Sequence, residues 1–520
     1  MSVMALTYYS GILYAAVMCS SLALGRNIHI SRTTPVEVEN SETVAASILN
    51  DSGASKCGAK KKFSLRLFEG SSPEPSDSDS KVVCNDGTPA GYYHRLETNG
   101  GRMTSDKWVI FLDGGQYCAA DASCAHRYST VAGKMSMSSQ NWPLEKDFDG
   151  FGLLSSQVSS NPHLANANKI YVPYCSSDVW SGDMSADDVN ATGTLGSGTL
   201  SVSNLVFMGS KIIRAVIADL VQRQSLAQAS YVALAGHSAG GLGVGLHLDY
   251  LRNKLQLTES GQRKTQPIVQ GLSAAAWYVP YTYCRDNGLP SSKCLPPDAT
   301  FEIRLGAKRV WQSSYPPACL AQKRHDPFQC LFPVISRPYM QGDMIFLQWM
   351  YDQAVAELIR SSAQHLFQMS TGVANSLKET SRTITAPLSV SIVPVCVGHF
   401  GFADSDVWTG LKVKNGNCTV AQIVQSAYLF SKTGSRKASQ VEGCRFRRHY
   451  GNTCTNPLRA NPTCPGMRRD DSKSHSHSLQ IASLPQVISN RNCGAALPGD
   501  ANPSSEDWPG SEDWLNGIHP

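Results

Sequence analysis

A short apolar run, Tyr231-Val-Ala-Leu-Ala235, leads into Gly236-His237-Ser238-Ala239-Gly240, and an apolar-periodic stretch continues from there to about Leu255. Few folds accommodate a strand, a tight glycine turn and a helix in that order with a serine at the apex. Glycines on both sides let the chain swing sharply from strand to helix and hold the Ser238 hydroxyl clear of the backbone. The backbone N–H of Ala239, at the start of the helix, then faces the position where a negative oxygen would develop. The competing explanation is a glycine-rich helix start that merely packs tightly. The strand before the motif and the helix after it favour the nucleophile.

Other short apolar runs alternate with helical patterns. Trp108-Val-Ile-Phe-Leu112 ends at Asp113-Gly114-Gly115, and Ile170-Tyr-Val-Pro173 ends at Tyr174-Cys175. Residues 205–221 carry Leu205, Met208, Ile212, Ile213, Val216, Ile217, Leu220 and Val221 at helical spacing, and the stretches 344–351 and 388–395 read as further buried strands. This alternation predicts an α/β fold with a mostly parallel central sheet and helices on both faces. In such sheets the reactive groups gather beyond the carboxyl ends of the strands.

A serine nucleophile needs a base and an acid, and in this fold order both follow it in sequence. Asp352, at the end of the 344–351 stretch, and His399, just after the 388–395 stretch, are the candidates best placed at strand ends. Asp326, Asp343, Glu357, His325, His365 and His449 compete by residue type. His237, beside the serine, is expected to point away from it and to serve a surface or packing role rather than act as base. The turn Asp113-Gly114-Gly115-Gln116 is placed to add the N–H groups of Gly115 and Gln116 to that of Ala239 in an oxyanion hole. An ordinary glycine turn is the plainer account of it.

Residues 1–25 contain no charged side chain and end in Ala23-Leu24-Gly25, the small-x-small pattern of a signal-peptide cleavage site. An uncleaved anchor is the alternative, but the first basic residue, Arg26, follows the apolar run rather than preceding it. Sixteen widely spaced cysteines suit an oxidising compartment, so the protein is expected to be secreted. Cleavage would remove Cys19 and leave an odd number of cysteines. Residues 26–81 read as a flexible N-terminal segment, 82–469 as the catalytic domain, and 470–520 as a disordered polar tail. His475 and His477 in that tail read as spacer rather than metal ligands. Spacing suggests the bridges Cys118–Cys124, Cys284–Cys294, Cys319–Cys330 and Cys396–Cys418, with Cys84–Cys175 and one pair among Cys444, Cys454 and Cys464. Asn50, Asn190 and Asn417 stand in N-glycosylation acceptor motifs. The net charge of +5 is too small to point to nucleic acid. The basic clusters Lys60-Lys61-Lys62 and Arg445, Arg447 and Arg448 are solvated charge by default and sulfated-glycan contacts by alternative.

The motifs Asn85-Asp-Gly-Thr-Pro-Ala-Gly-Tyr-Tyr93, Phe111-Leu-Asp-Gly-Gly-Gln-Tyr-Cys118, Tyr174-Cys-Ser-Ser-Asp-Val-Trp-Ser-Gly182, Gly236-His-Ser-Ala-Gly-Gly241, Phe346-Leu-Gln-Trp-Met-Tyr-Asp-Gln-Ala354 and Cys396-Val-Gly-His399 resemble the Notum / pectin acetylesterase family over roughly residues 82–465. The segment 175–182 is similar to its Notum branch. The resemblance implies an α/β-hydrolase fold, a Ser238–Asp352–His399 triad and no metal or organic cofactor. It further implies a secreted carboxylesterase that removes palmitoleate from a Wnt-like acylated protein and binds glypican heparan sulfate. Gln116 stands where the family has Trp, Ala274-Ala-Ala-Trp277 replaces Asp-Ser-Gly-Trp, and the segment Met184–Asn204 is longer. Trp277, Trp311, Pro316 and Phe332 are candidate walls of an acyl pocket, though aromatics of this kind more often belong to the core. Two other functions stay open: a carbohydrate acetylesterase with the same chemistry, and a secreted binding protein without turnover. The complete acid–base–nucleophile set argues against the last.

Overall fold

The apolar runs assemble into one ten-stranded sheet. The computed structural model describes residues 62–69, 81–185, 201–256, 266–297, 301–359, 363–399, 401–413 and 418–451. In chain order the strands are β1 (Phe63–Leu67), β2 (Gly91–Arg95), β3 (Lys107–Leu112), β4 (Glu145–Lys146), β5 (Asn168–Val172), β6 (Tyr231–His237), β7 (Ile268–Ala274), β8 (Asp343–Leu347), β9 (Ser389–Val393) and β10 (His449–Gly451). Across the sheet the order is β10-β9-β8-β7-β6-β3-β5-β2-β1-β4. From β10 to β5 every pairing is parallel, and β2, β1 and β4 close one edge antiparallel. Strands β3, β6 and β8 are buried along nearly their whole length, which requires cover on both faces. The helices α1 (Gly209–Arg223), α2 (Ala239–Gln256), α3 (Ala363–Thr383) and α4 (Val420–Thr433) pack against the sheet. The chain has the α/β architecture that its patterning predicts.

Four differences from the sequence reading have physical causes. The segment 26–81 is not all lead-in, because Phe63–Leu67 is strand β1, paired with β2 and β4. Phe63 is buried, and Arg66 leaves the sheet to pair with the buried carboxylate of Asp219 at 2.8 Å. Helix α1 starts at Gly209 rather than near Leu205. The Asp178 carboxylate, remote in sequence, accepts the Gly209 N–H at 2.7 Å and supplies the helix start with its missing acceptor.

Strand β8 stops at Leu347, so Asp352 does not sit on its end. The neighbouring β9 runs into Pro394, which has no N–H to continue a ladder. The chain instead forms a separate two-residue strand, Tyr351–Asp352, parallel to Val397–Gly398. Finally, Cys418 pairs with Cys444 rather than with Cys396. Cys418 lies just ahead of α4, and the bridge closes the loop that returns from that helix; Cys396 is in a disulfide of its own.

The bridges Cys84–Cys175, Cys118–Cys124, Cys284–Cys294 and Cys319–Cys330 are those that spacing suggests. Cys84–Cys175 closes 91 residues of chain. Replacing both its cysteines by serine is expected to lower stability by about 2–5 kcal/mol, read as a reduced denaturant midpoint. An unchanged midpoint would show that the bridge is thermodynamically idle. The signal segment, the tail from residue 470, Lys60, Lys61, Cys454, Cys464 and the acceptors Asn50, Asn190 and Asn417 lie outside the described residues. Among those described, no helix is long and apolar enough to cross a membrane.

Candidate active site

Ser238 occupies the turn between β6 and α2 with φ 54°, the left-handed region that costs a non-glycine residue energy and persists only where its surroundings enforce it. Two contacts do the enforcing. The Ser238 N–H donates to the Ala274 carbonyl at the end of β7, 2.9 Å away. Gly240 brings the first turn of α2 so close to β3 that a Cβ there would lie 2.2 Å from the Leu112 carbonyl oxygen. The result is a partly exposed serine hydroxyl on a rigid elbow, with Ala239 the first residue of the helix behind it.

Asp352 and His399 meet through the register of the small two-strand ladder. Asp352 pairs with Gly398, the residue before His399, and the Asp352 Oδ1 to His399 Nδ1 distance is 2.8 Å. Oδ1 also accepts the N–H groups of Ala354 and Val355 at 3.1 and 3.2 Å, while Oδ2 accepts from Gln348 Nε2 at 3.0 Å. The Asp352 side chain is 4% exposed and that of His399 14%, so the carboxylate is shielded and the imidazole keeps one edge open. The competitors lie elsewhere. Asp326 pairs with Lys308 and Arg304, Asp343 accepts from Ser431 and the Leu388 N–H at the opposite end of the sheet, and His449 bonds Ser391. His325 is exposed, and the side chains of Glu357 and His365 are not among those described.

The turn after β3 packs directly on the elbow. A Cβ on Gly114 would sit 2.5 Å from the His237 carbonyl oxygen and 3.2 Å from Ser238 Cβ, so this position admits glycine alone. Gly115 (φ 143°) and Gln116 (φ 58°) then turn the backbone, with the Gln116 side chain exposed. Asp113 holds the turn through its own Gly114 N–H at 2.9 Å and the Tyr171 hydroxyl, and the Asp113 carbonyl accepts from Trp180 Nε1 at 3.0 Å. Cys118–Cys124 closes the turn from the other side.

The segment that resembles the Notum branch builds the wall behind it. Asp178, fully buried, accepts from Ser176 Oγ and from the N–H groups of Trp180, Gly182 and Gly209. Burial pushes its carboxyl up to about 6 against the pull of those donors. His237 packs its ring against Phe111 and beneath Gly401, as its sequence position suggested. Burial lowers its basicity, Asp113 opposes this and His399 adds to it.

Of the candidate pocket walls, Trp277, Trp311 and Phe332 are at most 2% exposed. Trp277 donates to Ser376, Trp311 donates to the Cys118 carbonyl, and Phe332 packs edge-on against Phe328; Pro316 is partly exposed. Trp277 and Asp352 line a cavity of about 20 Å³, room for about one water molecule. Sequence reasoning missed two residues of the site. Tyr278 donates its phenol to the Ala275 carbonyl at 3.0 Å, one residue past the Ala274 carbonyl that holds the Ser238 N–H, and burial holds the phenol well above its usual range, with Ser238 among the groups that oppose the shift. The other is Gln348. Only its position one residue past a strand end hinted at a role.

The arrangement offers a hydroxyl nucleophile, an imidazole oriented by a buried carboxylate, and backbone N–H groups at a helix start and a glycine turn. These are the parts an acyl transfer needs. Among the described residues, no group of three or more His, Cys, Asp or Glu side chains is placed to hold a metal ion.

A family model described as Pectinacetylesterase matches residues 75–388. The chain is 33% identical over 398 residues to the palmitoleoyl-protein carboxylesterase NOTUM of Mus musculus, covering 75% of this chain and 71% of that one. It is 32% identical over 396 residues to the protein of the same name from Homo sapiens, covering 75% and 72%. Against palmitoleoyl-protein carboxylesterase notum2 of Xenopus laevis it is 32% identical over 430 residues, covering 81% and 80%.

Proposed function

The chain belongs to the pectinacetylesterase family and is a carboxylic ester hydrolase, and from that premise we propose that Ser238, His399 and Asp352 act as nucleophile, base and acid on an O-acyl ester. The observation that carries this reading is the 2.8 Å contact of His399 Nδ1 with Asp352 Oδ1 at the sheet edge that also presents the Ser238 elbow. With Nδ1 engaged by the carboxylate, the serine proton goes to Nε2. Ser238 Oγ attacks the acyl carbon, and the N–H groups of Ala239 and of the Gly115-Gln116 turn receive the oxyanion. The imidazolium then returns its proton to the leaving alcohol. Water, activated by the same imidazole, releases the acid and restores the serine. A serine-reactive fluorophosphonate is expected to leave its adduct on Ser238, read by peptide mass spectrometry. An adduct elsewhere would remove Ser238 from the mechanism.

The names of the relatives support a fatty-acyl ester on a protein as substrate. In this reading the protein is secreted through its N-terminal segment and acts on a Wnt-like acylated partner. Five disulfides among the described residues support the secreted state. The exposed Arg445 and Arg447, either side of buried Phe446, support contact with heparan sulfate of the glypican kind.

One observation favours a second reading, a carbohydrate acetylesterase. The phenol of Tyr278, on the segment whose Ala274 carbonyl holds Ser238, makes the surroundings of the nucleophile more polar than a long alkyl chain prefers. Each buried methylene is worth about 0.8 kcal/mol, so a fatty-acyl pocket should make kcat/KM for octanoyl esters exceed that for acetyl esters by at least about 10-fold. A preference for acetyl would select the second reading.

A further inference from the structure

We infer that Gln348 is a positioning residue of the esterase, the link that fixes the acid and its histidine relative to the turn carrying the nucleophile; the inference rests on the assignment of Ser238, His399 and Asp352 above. Gln348 is 2% exposed and lies where β8 has ended and the chain crosses to the Tyr351–Asp352 strand. Its backbone N–H is held by the Ile392 carbonyl at 2.9 Å. Both ends of its amide are engaged. Oε1 accepts the Trp277 N–H at 2.9 Å, and Nε2 donates to Asp352 Oδ2 at 3.0 Å. The segment Ala274–Tyr278 that Oε1 grips is the one whose Ala274 carbonyl holds the Ser238 N–H, and whose Ala275 N–H bonds Leu347 at 2.8 Å. A continuous path therefore runs from the Ser238 backbone through Ala274–Trp277, Gln348 and Asp352 to His399.

The chemistry of the side chain matters as much as its reach. Asp352 Oδ1 is committed to two backbone N–H groups and the imidazole, so Oδ2 depends on the Gln348 amide. Trp277 presents a donor and Asp352 an acceptor, and an amide is the neutral group that satisfies both at once. An alkyl side chain satisfies neither and leaves a buried carboxylate oxygen without a donor. A glutamate satisfies both only while protonated, because two carboxylates about 3 Å apart cannot both ionise.

These properties define the test. In the full-length secreted protein, Gln348→Met is expected to lower kcat by about 10-fold or more, the worth of one hydrogen bond to a charged group, with little change in KM. Gln348→Glu is expected to approach wild-type kcat/KM at about pH 6 and to fall at least about 10-fold below it by about pH 9, as the carboxyl pair loses its shared proton. A purely structural role would give a variant-to-wild-type ratio flat across that range. Thermal unfolding of both variants reports the folded fraction, and the Glu variant carries the test if the Met variant does not fold. Wild-type kcat in folded Gln348→Met, or a flat ratio for Gln348→Glu, overturns the inference. Asp352→Asn, assayed alongside, separates the two levels. If it is impaired while the Gln348 variants are normal, the inference fails alone; if it too is normal, the assignment of the acid fails.

Discussion

Ser238→Ala is expected to lower ester hydrolysis by at least about 10³-fold while the protein remains folded. The loss follows from chemistry rather than packing. Without the hydroxyl no acyl-enzyme forms, and what remains is the stabilisation that oxyanion donors and binding give to direct attack by water. Folding should survive, because the strain at φ 54° is imposed by the Ser238 N–H bond to Ala274 and by the close approach of Gly240 to β3, neither of which uses the hydroxyl. Alanine carries the same backbone cost as serine at this position. The check is a steady-state assay with a chromogenic ester on protein whose unfolding midpoint matches the wild type. Turnover at the wild-type rate would sink the nucleophile assignment.

Asp352→Asn is expected to lower kcat by on the order of 10²–10⁴-fold at unchanged KM. The backbone N–H groups of Ala354 and Val355 require an oxygen at the Oδ1 position, so the new amide nitrogen must take the place of Oδ2. There it faces Gln348 Nε2, donor against donor, and Gln348 cannot turn its amide without presenting a donor to the Trp277 N–H. The charge that would stabilise the imidazolium is lost, and the carboxamide is pushed from the plane that held His399. A variant with normal kcat would mean that another group, or none, stabilises the imidazolium.

How much of this was readable in advance depends on how local each interaction is. The outline of the elbow is local: one strand, five residues and one helix, which periodicity with glycine placement reports, whereas the Ala274 and Leu112 carbonyls that fix Ser238 in it come from β7 and β3. Asp352 and His399 were legible as residues near strand ends, but not as partners. Asp352 and His399 are 47 residues apart, and what joins them is the register of a two-residue ladder that forms beyond Pro394, outside the main sheet. Nothing in the pattern around Asp352 announces that ladder. Strand β1 was hidden for the opposite reason. Phe63–Leu67 is short and flanked by lysines and a polar run, and its Arg66 reads as surface until the buried Asp219 is seen to receive it.

The α/β class, the strand–turn–helix elbow that carries Ser238, the glycine turn beside it and the short-range bridges Cys118–Cys124, Cys284–Cys294 and Cys319–Cys330 are legible from the chain alone, because each depends on sequence neighbours or on spacing that survives without a third dimension. Folding in three dimensions was needed to close Cys418 on Cys444, to bury Trp277, Trp311 and Phe332, and to stand Tyr278 and Gln348 beside the reacting groups. Those outcomes depend on which distant segments come within about 3 Å of one another. Hydrogen bonds at that distance discriminate by donor and acceptor geometry, which hydrophobic periodicity does not encode.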